Sequence, residues 1–194
     1  ADHEDIAYSY RTGNHGDGSW YSINGNIDYQ RTSRKNKQRM ITFSYKINTQ
    51  PQTSNSNTGY EDIHAKEEVD DLVKRLLLKN SQSDGKTNTM EQTFQVDYTT
   101  PIGELHTVEA GAKYIFRRNT SDNKLYEAAG GSDDYLYNEG RSSDYRHLNH
   151  ILASYLGYTL KYKDFTFKPG VRYEQTVQRV KYIVGPGENF HTNF

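Results

Sequence analysis

The chain has no cysteine, one tryptophan and only four prolines in 194 residues. Without cysteine, a disulfide framework and thiolate chemistry are excluded. Long apolar runs are missing as well. Nothing approaches the roughly 20 residues that a membrane-crossing helix requires, so insertion into a bilayer would have to proceed through strands. A formal net charge of -1 gives no electrostatic case for nucleic acid, and no basic cluster interleaved with aromatics occurs. The CxxC, HExxH, P-loop and GxSxG patterns are absent, so neither an enzyme nor a cofactor is expected. Hydrophobic content of 33% and a mean hydropathy of -1.00 are low for a soluble core protein. What the chain does have is tyrosine, 17 of them, within an aromatic fraction of 13%. That balance suits a wall with one apolar face and amphipathic aromatics at its borders.

Apolar and polar residues alternate in three pairs of segments. Tyr21, Ile23, Gly25, Ile27 and Tyr29 alternate with Ser22, Asn24, Asn26, Asp28 and Gln30. Past a basic turn over 32–37, Ile41, Phe43, Tyr45 and Ile47 alternate with Thr42, Ser44, Lys46 and Asn48. Period two over this length specifies a strand with one apolar face, not a helix. Setting Tyr29 opposite Ile41 and Ile27 opposite Phe43 keeps every apolar residue on one side. The second pair carries Phe94, Val96 and Tyr98, a Pro101–Gly103 turn, then Val108, Ala110, Ala112, Tyr114 and Phe116. The third runs from Leu152 to Tyr162, turns at Lys163-Asp164, and returns through Phe165, Phe167, Val171 and Tyr173. Pro169 lies in that return without an N–H to donate, which implies a bulge or an edge. The fold expected is all-β: an antiparallel β-meander of about six strands near 20–31, 38–48, 89–99, 106–117, 147–162 and 165–178. It forms a single partial barrel region over 1–194.

Between the pairs, residues 49–88 and 117–146 are long and polar, and the flanks 1–18 and 178–194 match them; all read as loops. In the first, Val69, Leu72, Val73, Leu76 and Leu77 recur at helical spacing, with acids before and bases after. They predict one short helix near 65–79 whose apolar stripe docks on the rim or plugs the mouth. Tight turns on one side and long loops on the other are the rhythm of an outer-membrane β-barrel, with apolar residues toward lipid and polar ones toward the lumen. Tyr29, Tyr98, Tyr162 and Phe165 near the tight turns should form part of one interfacial girdle.

Candidate site residues follow from that geometry. Asp97, Glu109, Lys113, Lys168, Arg172 and Glu174 are candidate lumen-facing charges, which either guide a solute or hold the wall through cross-strand pairs. Pairing Tyr98 with Val108 would set Asp97 opposite Glu109. In the second loop Tyr135, Tyr137 and Tyr145 lie among Asp133 and Asp134, a set suited to glycans or a metal chelate, or simply to packing on one another. His147 and His150 point to opposite faces by their odd spacing, so no shared metal is expected.

Asp97-Tyr98-Thr99-Thr100-Pro101-Ile102-Gly103, Val108-Glu109-Ala110-Gly111-Ala112-Lys113-Tyr114, Gly170-Val171-Arg172-Tyr173-Glu174 and the closing Asn189-Phe190-His191-Thr192-Asn193-Phe194 resemble the barrel region of outer-membrane β-barrel family proteins, the group related to TonB-dependent receptors. The resemblance implies a larger receptor of a Gram-negative outer membrane, with a plug domain, a TonB-contacting segment and more strands. No plug domain is recognisable in this sequence, and six strands fall short of the eight of the smallest barrels, so the chain reads as a section of such a wall. The partners implied are outer-membrane lipid, the remaining barrel and plug, and an unknown solute. Exposed edges also make self-association of the section possible. The rival expectation is a soluble β-sandwich or open barrel binding carbohydrate or a protein partner, its apolar faces turned onto each other.

Overall fold

A computed structural model describes residues 7–194. The chain forms one open antiparallel sheet. Its strands are β1 (Tyr8–Trp20), β2 (Ile23–Thr32), β3 (Met40–Ala65), β4 (Lys79–Ile102), β5 (His106–Ala129), β6 (Leu136–Tyr137), β7 (Ser143–Tyr162), β8 (Phe165–Phe167), β9 (Gly170–Val184) and β10 (Phe190–Asn193). Spatial order follows chain order, β1-β3-β4-β5-β7-β9-β10, with β2 on β3, β6 on β5 and β8 on β7. This is the meander expected from the alternation.

Two of the divisions have one cause. β1 and β2 pair with β3 in the same register, and the gap at Tyr21-Ser22 lies opposite Pro51. Tyr21 N–H donates to the Pro51 carbonyl at 3.3 Å, but Pro51 has no N–H to return. β8 and β9 likewise hold one register against β7. There Tyr158 N–H donates to the Pro169 carbonyl at 3.0 Å, again without a return bond. Pro169 therefore makes no bulge. The missing N–H would face β7, so the proline is tolerated at the cost of one ladder bond, in the break between β8 and β9; among the described residues β10 pairs with Val177–Val180 and does not reach it.

The apolar face is uncovered. Ile27, Phe43, Phe94, Leu152 and Val171 are 47–71% exposed, while among the described residues the buried hydrophobic ones are Val73, Leu78, Ala128, Ala153 and Val180. Among the described residues no second sheet packs on it, so the sandwich expectation fails: its defining contact is missing. Tyr29, Tyr98, Tyr162 and Phe165 all lie on this exposed face beside the tight turns, as a girdle requires.

Four expectations need correction. The segments read as loops are mostly strand: β3 runs 26 residues and β4 and β5 run 24 each, and β1 and β10 occupy the flanks. Beyond the apolar band both faces of the sheet are polar, so apolar alternation disappears while pairing continues. The helix is shorter than 65–79: Asp70–Leu72 is α-helical and Val73–Leu77 forms a π turn, because Ala65 still belongs to β3 and Lys79 already to β4. Its stripe docks only in part. Val73 and Leu78 are buried, whereas Leu72, Leu76 and Leu77 face solvent. Finally, register slides by two residues in two hairpins. Tyr29 pairs with Phe43 and Ile27 with Tyr45; Tyr98 pairs with Ala110, so Asp97 faces Gly111 and not Glu109. A two-residue slide preserves which face each side chain occupies, so parity alone does not detect it.

Candidate functional site

On the face opposite the apolar one, cross-strand pairing lines up polar residues in rows. One row reads Gln30, Thr42, Asp97, Gly111, Tyr155 and Arg172 across six strands; the next reads Asp28, Ser44, Gln95, Lys113, Ala153 and Glu174. Glu109 lies one row nearer the tight turns, opposite Thr99 and Gly157. Thus five of the six expected lumen charges form one patch. Lys168 does not join it; it is exposed in the break between β8 and β9.

A residue missing from the expected set organises this patch. Tyr155 comes from β7, crosses β5 and donates its hydroxyl to Asp97 Oδ1 on β4 at 2.6 Å. Gln95 Nε2 donates to the other oxygen of Asp97 at 2.7 Å. The ring reaches across because position 111 is glycine. A Cβ there would lie 2.6 Å from Tyr155 Cζ and 2.6 Å from Asp97 Oδ1, far inside contact distance. Arg172 pairs with Glu174 on its own strand at 2.6 Å, and Arg117 with Glu91 higher up. Lys113 has no ion-pair partner among the described residues. The row above carries Asn119 opposite His147, beside Asn149. Their Asn119 Oδ1, His147 Nε2 and Asn149 Oδ1 atoms are buried without a hydrogen-bond partner, so this wall has donor and acceptor capacity left over. His150 points to the other face, against Tyr114 and Phe116, which agrees with the opposed faces expected for His147 and His150.

The loop candidates separate. Tyr137 packs on Tyr126 and Tyr145 on Tyr182, each pair with ring centroids 5.6 Å apart. Asp133 and Tyr135 line a hollow of about 470 Å³ with His15, Asn57, Tyr60 and Glu61, while Asp134 lines another with Lys79, Tyr137 and Glu139. Asn80, buried beneath the first hollow, accepts from Tyr60 N–H at 2.8 Å and donates to the Ser132 carbonyl at 3.0 Å. It fixes the segment that carries Asp133. Beside the second, Glu127 accepts from Asn138 at 2.6 Å and pairs with Arg141 and Lys79. The Asn138 hydrogen bond, helped by the two cations and opposed by burial, holds its carboxyl below the usual value.

Residues 32–194 match the outer membrane protein beta-barrel family. No curated protein matches the chain. Among solved structures, the crystal structure of the ferric citrate transporter FecA in the unliganded form is similar at 15% identity with a TM-score of 0.37, over 80% of this chain and 22% of that one. The chain therefore spans about a fifth of that transporter's length. An exposed apolar face bordered by aromatics, a polar reverse face and a family match over most of the sequence lead to one conclusion: the chain belongs to the outer membrane protein beta-barrel family, proteins of the Gram-negative outer membrane.

Proposed function

We propose that the chain forms part of the wall of an outer-membrane receptor that takes up a solute, with the Asp97–Tyr155–Lys113–Arg172 patch lining the route and Asp133 and Tyr135 at the outer rim. The observation that carries this reading is the lumen patch itself. A wall that only separated lipid from water would need no mixed-charge surface with a tyrosine bridging two strands. The exposed charges of the patch can meet a solute, or a plug domain seated against the wall, which the reading also calls for. Open sheet edges are not tolerated in lipid, so further barrel strands bound β1–β2 and β9 in the membrane.

Uptake tests the proposal. A strain lacking the protein is compared with the complemented strain on oligosaccharides and iron chelates supplied one at a time as sole carbon or iron source. A solute whose uptake falls on deletion, and falls again with Lys113→Gln or Asp97→Asn in the folded protein, supports a lumen route. If deletion impairs growth on none of them, the transport reading fails.

A further inference from the structure

Just above the apolar band, the lipid-facing side of the sheet becomes basic. Arg118 on β5 pairs with Leu148 on β7, which pairs with Arg179 on β9; one row higher, Thr120 pairs with Arg146 and Arg146 with Lys181. All four cations are exposed, and none has an ion-pair partner among the described residues. Strands lie about 4.8 Å apart and successive same-face residues about 7 Å apart, so the four backbone positions fall within a patch about 12 Å across. Like charges this close repel unless an anion lies among them. His191 on β10, opposite Arg179, extends the patch. The carboxylates above it, Asp122 and Asp144, face each other across β5 and β7, and Asp122 already pairs with Lys124.

Below the patch the same face is apolar, first at Phe116, His150 and Val177. It then opens into a shallow depression of about 460 Å³ lined by Phe43, Phe94, Val96, Ala112, Tyr114 and Leu152. The small Ala112 side chain leaves space that the rings of Phe43, Phe94 and Tyr114 wall in. We propose that this surface binds a phosphorylated, acylated glycolipid of the outer leaflet, its phosphates among Arg118, Arg146, Arg179 and Lys181 and an acyl chain in the depression. Charge complementarity selects the phosphates. Position at the border between water and hydrocarbon selects a lipid over an acidic protein, because an anionic headgroup joined to acyl chains fills both halves at once.

The intact protein, purified in zwitterionic detergent, is titrated with diphosphorylated lipid A, with the same lipid chemically dephosphorylated, and with inorganic phosphate, and bound lipid is counted by native mass spectrometry. Binding of the diphosphorylated lipid at least tenfold tighter than of either other probe is the expected result. R118Q and R179Q should each weaken it about fivefold, as expected for one juxtamembrane charge, and R118Q/R146Q/R179Q/K181Q should abolish it. R34Q/K35Q, which removes exposed charges from the β2–β3 turn at the opposite end of the sheet, should leave it unchanged. Equal binding of the dephosphorylated lipid, equal binding of inorganic phosphate, or indifference to both single substitutions would overturn the proposal.

Discussion

Gly111→Ala should act through Tyr155, and the sign of its effect should depend on whether that ring is present. The added methyl group would overlap Tyr155 and lie 2.6 Å from Asp97 Oδ1, so the ring must leave and the 2.6 Å hydrogen bond to Asp97 must break. Losing a hydrogen bond to a charged acceptor costs about 1.5–3 kcal/mol, and forcing the side chain off its rotamer adds about 1 kcal/mol. Against this, alanine suits a strand interior better than glycine by about 0.5–1 kcal/mol. The net expectation is a loss of about 2–3 kcal/mol. In a Tyr155→Ala background nothing remains to collide with, because the freed carboxylate can swing aside. The same substitution should then stabilise by about 0.5–1 kcal/mol. Gly25→Ala is the control, since its Cβ meets only Ile47 Cγ2 at 3.4 Å. The assay is guanidinium unfolding of the intact protein in phosphatidylcholine vesicles, read by circular dichroism and extrapolated linearly. Additive effects of Gly111→Ala and Tyr155→Ala would refute the argument, because independent sites add and colliding ones do not.

Phe94→Arg, on the lipid face, should cost about 2–4 kcal/mol in the same vesicles, whereas Gln95→Arg, one residue on and facing the lumen, should cost under about 1 kcal/mol; similar losses would mean the faces are misassigned. Val73→Ala removes the most buried side chain of the π turn and should destabilise that segment by about 1.5 kcal/mol. Exposed Leu76→Ala should change it by less than about 0.5 kcal/mol, and hydrogen exchange over 70–78 separates the two. Because folded Glu127 titrates below its ordinary value of 4.5, its contribution is complete above that pH and lost as pH falls through the folded value. Exchange at Leu136–Ser142 should therefore accelerate, beyond its intrinsic pH dependence, on acidification to about pH 3, and Glu127→Gln should remove that response. An unchanged profile in the variant would show that Glu127 does not hold the segment.

Within the membrane band the fold was legible because burial in lipid writes itself as period two: Ile23 to Ile47, Phe94 to Phe116 and Leu152 to Tyr173 all lie on the face their alternation assigns. Parity fixes a face but not a partner, so Tyr29 met Phe43 instead of Ile41 without moving any side chain to the wrong side. Above the band no such contrast exists. Thr53, Asn55 and Asn57 on β3, opposite Lys86, Asp84 and Gln82 on β4, read as loop because both sides face water. The patch on the polar face was half visible. Its charges stood out on the polar faces, but the contact from Tyr155 to Asp97 spans 58 residues and has no local signature. Two signals pointed to it: a glycine inside a strong strand, which marks close approach, and a tyrosine on a polar face.

The unbroken pairing of β3, β4 and β5 carries a mechanical consequence. β4 keeps one register with β5 from Lys79↔Ala129 at the outer rim to Ile102↔His106 at the opposite turn, and β3 holds β4 without a slip from Thr58↔Ser81 to Met40↔Thr99. Sliding one such strand along its neighbour would require breaking the whole ladder at once, so the sheet resists shear and yields only by bending or tilting. A load applied at the outer ends of β3, β4 and β5 would therefore tilt the sheet as one plate, whose far end carries Asp97 and Tyr155.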